Sequence, residues 1–279
     1  MANIIDTRST FRLAKAPTSW IIAWGIGQSN MAGRAPNLSS VIVPEGAGLK
    51  YEHATGDLVH MVDPTGYDAG SVNKGSLGPS LCREVYEQSA GRVGLIFVNT
   101  GYTGTGILPG QEWSDSPSGA DRWTPSKNKW NAAIASALSD KLNVVGSCIL
   151  FSQGEYNAEQ IDDSDPGVDK AAWKTAFLDL IGRARTHAGS DRIPAVILQT
   201  GQRSDGDTTG YQDIRAGQAE LVRDNALVFM GHAGSRYFQE RGLQFDTFHF
   251  TDEGYDEMGR SAASTILSAA MGARPGGLE

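Results

Sequence analysis

The sequence predicts an α/β protein, a three-layer α/β/α sandwich around a central parallel five-stranded sheet. Three observations predict it. Five short apolar runs alternate with longer amphipathic ones, the apolar runs are almost unbroken, and the glycines gather between these segments. A strand covered by helices on both faces reads as a continuous apolar run, whereas a strand with one face in water alternates.

In chain order, Trp20 to Ile26 is the first strand and runs into the glycine-rich stretch Gly25 to Gly33. A second glycine-rich stretch, Gly46 to Gly78, precedes a helix over Leu77 to Ser89. Val93 to Asn99 is the next strand, and a third glycine cluster, Gly101 to Gly119, leaves its end. A helix over Lys127 to Leu138 and a strand over Val144 to Ser152 follow. The helix over Val168 to His187 repeats Val168, Ala172, Ala176, Leu180 and Ala184 at four-residue spacing, which lays one apolar stripe along it. Ala195 to Thr200 and Ala226 to Met230 are strands flanking a helix over Tyr211 to Arg223. The last helix, Asp252 to Ala270, carries Tyr255, Met258, Ala262 and Ile266 on one face. Glycine, 34 of 279 residues, is well above the usual share of about 7%. Two of its three clusters begin where strands end, the rim at which parallel sheets bind ligands.

At 279 residues with 40% apolar content, one core is sufficient, assigned to residues 20–272 between an extension over 1–19 and a tail over 273–279. A net charge of −8 argues against nucleic acid or an anionic membrane as partner, because both are bound through clustered cations. Cys82 and Cys148 sit in apolar runs and are expected to be buried thiols; two cysteines make neither a disulfide framework nor a four-thiolate zinc site. Met1 to Leu13 has no apolar stretch and no run reaches membrane-span length. The expectation is a soluble protein without a signal peptide, cytoplasmic or attached to a virion or cell surface by another route. Asn37-Leu38-Ser39 fits a glycosylation acceptor, a tripeptide common by chance.

Gly25-Ile26-Gly27-Gln28-Ser29-Asn30-Met31-Ala32-Gly33 follows the first strand directly. It fails as a dinucleotide fingerprint, since Asn30 stands where the third glycine belongs. It fails as a G-x-S-x-G elbow, since Met31 takes the second glycine position. Two readings remain: a plain turn, or a serine nucleophile on a strand-to-helix turn. A serine needs a base, and the chain has five histidines. His187 sits near a helix end, where a cation complements the dipole. His53 and His60 lie in a loop-rich segment, and His232 follows a strand end. His249 is preceded at three residues by Asp246, a spacing that lets the carboxylate fix the imidazole tautomer or, more plainly, makes a helix-cap pair.

Together, Gly27-Gln28-Ser29-Asn30-Met31, Gln153-Gly154-Glu155 and Asp246-x-x-His249-Phe250-x-x-x-Gly254 resemble the sialate O-acetylesterase-like branch of the SGNH hydrolases, the group that contains carbohydrate esterase family six. The matches span residues 20 to about 265 in the family's order. The resemblance implies a flavodoxin-like fold, no metal or other cofactor, and deacetylation of O-acetylated sugars through an acyl-enzyme. It implies Ser29 as nucleophile, His249 as base and Asp246 as its orienting acid. For the oxyanion hole it implies the Ser29 N–H, a glycine N–H from Gly101 to Ile107 (Gly104, with Gly101 as alternate) and a side-chain amide, Gln153 or Asn157.

Candidate substrate contacts are Gln28, Asn30 and Arg34 around the serine, Glu155, and Trp113 and Trp123 in the long loop, with Trp130 just beyond it. Tryptophan faces suit sugar rings, and they equally anchor loops. Glu155 is read first as structural. Arg34, Arg122 and Arg203 fall on expected rim loops, where an arginine can face a sugar carboxylate or, more plainly, is solvated. The acidic run Asp162, Asp163, Asp165 and Asp169 lacks the EF-hand glycine and glutamate, and is read as a loop leading into a helix. Two other functions stand beside the leading one: an SGNH esterase or lipase on other esters, and a non-catalytic carbohydrate-binding module of a surface or phage appendage.

Overall fold

The computed structural model describes residues 15–276. The expected extension and tail therefore lie partly outside the described residues. Seven strands form one sheet: β1 (Ser19–Gly27), β2 (Gly48–Tyr51), β3 (Leu58–His60), β4 (Val93–Asn99), β5 (Val144–Ser152), β6 (Ala195–Leu198) and β7 (Val228–His232). Their order is β3-β2-β4-β1-β5-β6-β7, all pairs parallel except β2 with β3. The five expected strands are the inner and right-hand ones. The sheet gains β2 and β3, which arise inside the Gly46 to Gly78 stretch.

Those two strands hide because they are four and three residues long, and β3 is half-buried at the sheet edge. One glycine in the stretch has a clear packing reason. A Cβ on Gly48 would lie 2.6 Å from the Cβ of Cys82, so β2 can approach the helix above it only without a side chain there.

The helices are α1 (Ser29–Ala32), α2 (Gly78–Gln88), α3 (Trp123–Ser139), α4 (Glu155–Asp162), α5 (Lys170–His187), α6 (Thr209–Asp224) and α7 (Asp252–Ala270). The sequence gives no periodic sign of α1 or α4, which are one and two turns long. α5 starts two residues later than expected, because the Asp169 carboxylate accepts the Ala172 N–H at 2.7 Å and caps it. α3 starts four residues earlier than expected; Pro125 falls in its first turn, where a missing N–H costs nothing.

Alternation along β1 feeds two cores. Ile22, Trp24 and Ile26 face a layer with Trp123, Trp130, Trp173, Phe177 and Ile214, while Ile21 and Ala23 face Leu81, Cys82, Tyr255, Met258 and Ile266. Trp24 is fully buried and stacks on Trp130 at 4.9 Å and Trp123 at 5.8 Å between centroids. Burying such a ring removes about 200 Å² from water, roughly 5 kcal/mol of transfer free energy. Its indole N–H donates to Ser126 Oγ, so the buried polar atom is satisfied. Cys82 and Cys148 are buried and free, and burial pushes the Cys148 thiol up to about 12. No helix among the described residues is long and apolar enough to cross a membrane.

Candidate active site

β1, β4 and β5 end side by side, and the site is assembled on their carboxyl ends. Gly27 closes β1 with φ +150°, and a Cβ there would run into the Ser152 carbonyl of β5. The chain then turns within one residue: Gln28 N donates to Ser152 O at 2.9 Å, and Ser29 opens α1. Gly33, at φ +94°, ends that single turn by donating to Ser29 O at 2.9 Å.

Ser29 Oγ lies 2.9 Å from His249 Nε2, and His249 Nδ1 lies 2.8 Å from Asp246 Oδ2. Asp246 Oδ1 also accepts the backbone N–H groups of Phe248 and His249, both at 2.8 Å. This closed turn fixes the carboxylate, so the Nδ1 proton faces Asp246 and the Nε2 lone pair faces the serine. Partial burial raises the Asp246 pKa, but the His249 ring and the two N–H groups outweigh it and hold the acid below its ordinary value.

His232, the rival base, points elsewhere. Its Nδ1 lies 2.7 Å from Ser261 Oγ on α7, and burial lowers its pKa to about 4, so it is a neutral packing residue. His187 falls in the last turn of α5, as expected, where it pairs with Asn131 Oδ1 at 2.9 Å, and burial lowers its pKa.

Several expected substrate contacts turn out to hold the fold. Trp113 is fully buried with its N–H on Thr105 Oγ1, and Trp123 lies in the Trp24 stack, so neither offers a face to a sugar. Asn30 is buried; its Nδ2 donates to Glu155 Oε1 at 2.7 Å and to Phe248 O at 3.1 Å, and its Oδ1 accepts from Tyr255 Oη at 2.7 Å. Glu155 is likewise buried, and burial raises its pKa. Gln28 is half-committed: its Oε1 accepts from Tyr156 N and Gly154 N, while its Nε2 donates to nothing among the described residues.

The oxyanion candidates separate similarly. Gly101 N donates to Asn99 Oδ1, and a Cβ there would sit 2.6 Å from Ala32 N, so Gly101 is a packing glycine. Gly104 is exposed at φ +64°, and its N–H has no partner among the described residues. Both amide hydrogens of Gln153 are engaged, by Thr105 O and Asn157 Oδ1, and its Oε1 accepts from Trp173 Nε1. Asn157 gives both of its hydrogens to Gln111 and Gln160. The Gln153 and Asn157 amides are thus framework, a correction to their expected role.

Arg34 is also framework. It pairs with Asp68 at 2.8 Å, and its guanidinium occupies the space that a Cβ on Gly70 would take. Asp68 accepts in turn from Thr103 N at 3.0 Å, and Tyr102 N donates to Gly27 O at 3.0 Å. Asp68 therefore ties Arg34, two residues past α1, to the loop carrying Gly104, a role that no local pattern around Tyr67-Asp68-Ala69 signals. Arg203 is bidentate to Asp205 and pairs with Glu159. In the acidic run, Asp162 accepts from Gly210 N at 2.7 Å and Asp169 caps α5.

Residues 20–268 match the family model described as carbohydrate esterase, sialic acid-specific acetylesterase. Among solved structures, a protein from Arabidopsis thaliana superposes with TM-score 0.66 at 18% identity, covering 90% of this chain and 98% of that one. NanS superposes with TM-score 0.60 at 13% identity, covering 91% and 98%. A carbohydrate acetylesterase from Xanthomonas citri gives TM-score 0.55 at 17% identity, covering 91% of this chain and 56% of that one. These low identities show a shared fold. No curated protein matches the chain. With the match running from β1 into α7, the chain belongs to the sialic acid-specific acetylesterase family of carbohydrate esterases and is a carboxylic ester hydrolase.

Proposed function

We propose that the protein removes O-acetyl groups from a carbohydrate through an acetyl-serine intermediate. The observation that carries this is the continuous hydrogen-bonded line from Ser29 Oγ through His249 to Asp246. His249 Nε2 takes the hydroxyl proton as Ser29 Oγ attacks the acetyl carbonyl, and Asp246 stabilises the imidazolium. The carbonyl oxygen becomes an oxyanion, met by the Ser29 and Gly104 N–H groups and the uncommitted Gln28 Nε2. The tetrahedral intermediate collapses, His249 protonates the departing sugar oxygen, and the alcohol leaves. Water, deprotonated by the same nitrogen, then releases acetate and restores Ser29.

A lipid substrate would call for an apolar cleft at the serine. The cavity of about 930 Å³ between residues 107–116 and the start of α5 includes none of Ser29, Asp246 and His249 in its lining. A carbohydrate-binding role without turnover would leave the three-residue line without use. Brief exposure to aryl acetate followed by peptide mass analysis tests the intermediate: an acetyl group on Ser29 is expected, and turnover with Ser29 never modified would argue for direct attack by water.

A further inference from the structure

The N–H of Gly104 meets the oxyanion from an exposed loop, at a residue with φ +64°. A donor stabilises a transition state only if it is aimed before the charge develops, because turning a loop during the reaction cancels the gain. The direction of this N–H is set by the plane of the Thr103–Gly104 peptide. Whatever fixes Thr103 therefore aims the donor.

The loop is tied on both sides of Gly104. Before it, Gly101 N donates to Asn99 Oδ1 at 3.1 Å, Tyr102 N to Gly27 O at 3.0 Å, and Thr103 N to Asp68 Oδ2 at 3.0 Å. After it, Thr105 Oγ1 donates to Tyr102 O at 2.7 Å and accepts from Trp113 Nε1 at 2.8 Å. The first two ties seat the loop on the ends of β4 and β1. The third, to a side chain 35 residues earlier, is the one that holds Thr103 itself.

Asp68 is in turn held from three sides. Its side chain is 3% exposed; Oδ2 pairs with Arg34 Nη2 at 2.8 Å, Oδ1 accepts from Ser71 Oγ, and Ser71 N donates back to Asp68 O at 2.9 Å. Gly66, two residues earlier, lets this turn press on the nucleophile helix, since a Cβ there would lie 2.3 Å from Ala32 O. Burial raises the Asp68 pKa, but the Ser71 and Thr103 hydrogen bonds and the Arg34 charge outweigh it and hold the acid below its ordinary value. Asp68 is thus a carboxylate at neutral pH, and a hydrogen bond to a carboxylate is about twice as strong as one to a neutral acceptor. An unpaired negative charge behind the loop would oppose the oxyanion. The Arg34 guanidinium neutralises it.

We propose that Asp68 is a positioning residue for the oxyanion hole: paired with Arg34, its carboxylate fixes Thr103 and so aims the Gly104 N–H at the oxyanion that forms when Ser29 attacks. This rests on the acyl-enzyme reading of the Ser29 site, with Gly104 as a donor. Asp68 touches neither substrate nor the reacting atoms and acts through the Thr103 backbone. The ion pair between the end of α1 and the loop then contributes to rate as well as to folding.

The test measures kcat and KM for an aryl acetate and for its thiono analogue, in which sulfur replaces the carbonyl oxygen, in wild type, Asp68→Asn, Asp68→Ala and Ser71→Ala. Attack on the thiono ester places the charge on sulfur, a weak hydrogen-bond acceptor, so the oxygen-to-sulfur rate ratio reads the oxyanion donors. Both rates come from one protein, so loss of folded enzyme does not move the ratio. Asp68→Ala is expected to lower kcat on the oxygen ester about 10- to 100-fold, with KM within a few-fold, and to lower the ratio about tenfold. Asp68→Asn, which keeps an acceptor for Thr103 N, is expected to retain more of the ratio, and Ser71→Ala more again. Variants whose two rates fall together, leaving the ratio at its wild-type value, would overturn the positioning role while leaving the esterase reading intact. A wild-type ratio no greater than that of alkaline hydrolysis in solution would remove the donors to be aimed, and the proposal with them. A wild type that cleaves neither ester would overturn the Ser29 reading itself.

Discussion

Asn30 donates to the Phe248 carbonyl at 3.1 Å and so fastens the loop of His249 to the helix of Ser29. The residue after Asn30's partner is His249 itself, and the same amide nitrogen reaches Glu155. Removing the amide frees the histidine loop and leaves a buried acceptor unpaired, a loss of about 1–3 kcal/mol. Asn30→Ala is expected to lower kcat on aryl acetate about 10- to 100-fold and to lower the melting temperature. Full activity in this variant would show that Asn30 does not position the base.

Glu155 makes a contrasting case. Burial already disfavours its charged form, and one oxygen has no partner among the described residues. Glu155→Gln keeps an acceptor for Asn30 without the buried charge, so stability is expected to hold or rise, with kcat within a few-fold. Glu155→Ala is expected to be destabilised. A collapse of activity in Glu155→Gln at unchanged stability would assign the carboxylate a chemical role.

The proposed mechanism gives Gln28 the oxyanion role that the resemblance implies for Gln153. Loss of an oxyanion donor typically costs about 10²–10³ in kcat. Gln28→Ala is expected to show a loss of that order with little change in melting temperature. Gln153→Ala, which breaks bonds to Thr105, Asn157 and Trp173, is expected to act mainly on stability. Thermal melts and aryl acetate kinetics on the two proteins decide the assignment, and the reverse pattern would return Gln153 to the oxyanion hole.

The pH dependence of stability has a defined sign at His232. Its folded pKa of about 4 lies below the unfolded value near 6.5, so between these the unfolded chain binds the extra proton. The neutral ring's contribution is full above pH 6.5 and is lost as pH falls towards 4, on the order of 3 kcal/mol in all. Melting temperature is expected to fall across that window, and His232→Asn to flatten the slope. An unchanged slope would mean that other groups control it.

The inner strands were legible because strands sealed on both faces leave no polar residue to break the run; β1 reads Trp-Ile-Ile-Ala-Trp and is buried from Trp20 onward. β2 and β3 were not, because an edge hairpin needs few apolar residues and its placement depends on Gly48 meeting Cys82. Ser29, Asp246 and His249 stood out by spacing and resemblance. Their supports did not, because a side chain's use is set by distant partners: Asn30 by Phe248, Asp68 by Thr103, and Trp123 by Trp24. The same holds for the rim arginines, alike in sequence, of which pairing leaves Arg122 without an acid among the described residues.

The most direct test of the central claim is acetate release from an O-acetylated sugar by wild type and by Ser29→Ala at equal folded concentration. Loss of a triad nucleophile typically costs on the order of 10⁴–10⁶ in kcat, and a fall of at least 10³ is the expected result. Equal rates from the two proteins would contradict Ser29 as the nucleophile and, with it, the proposed mechanism.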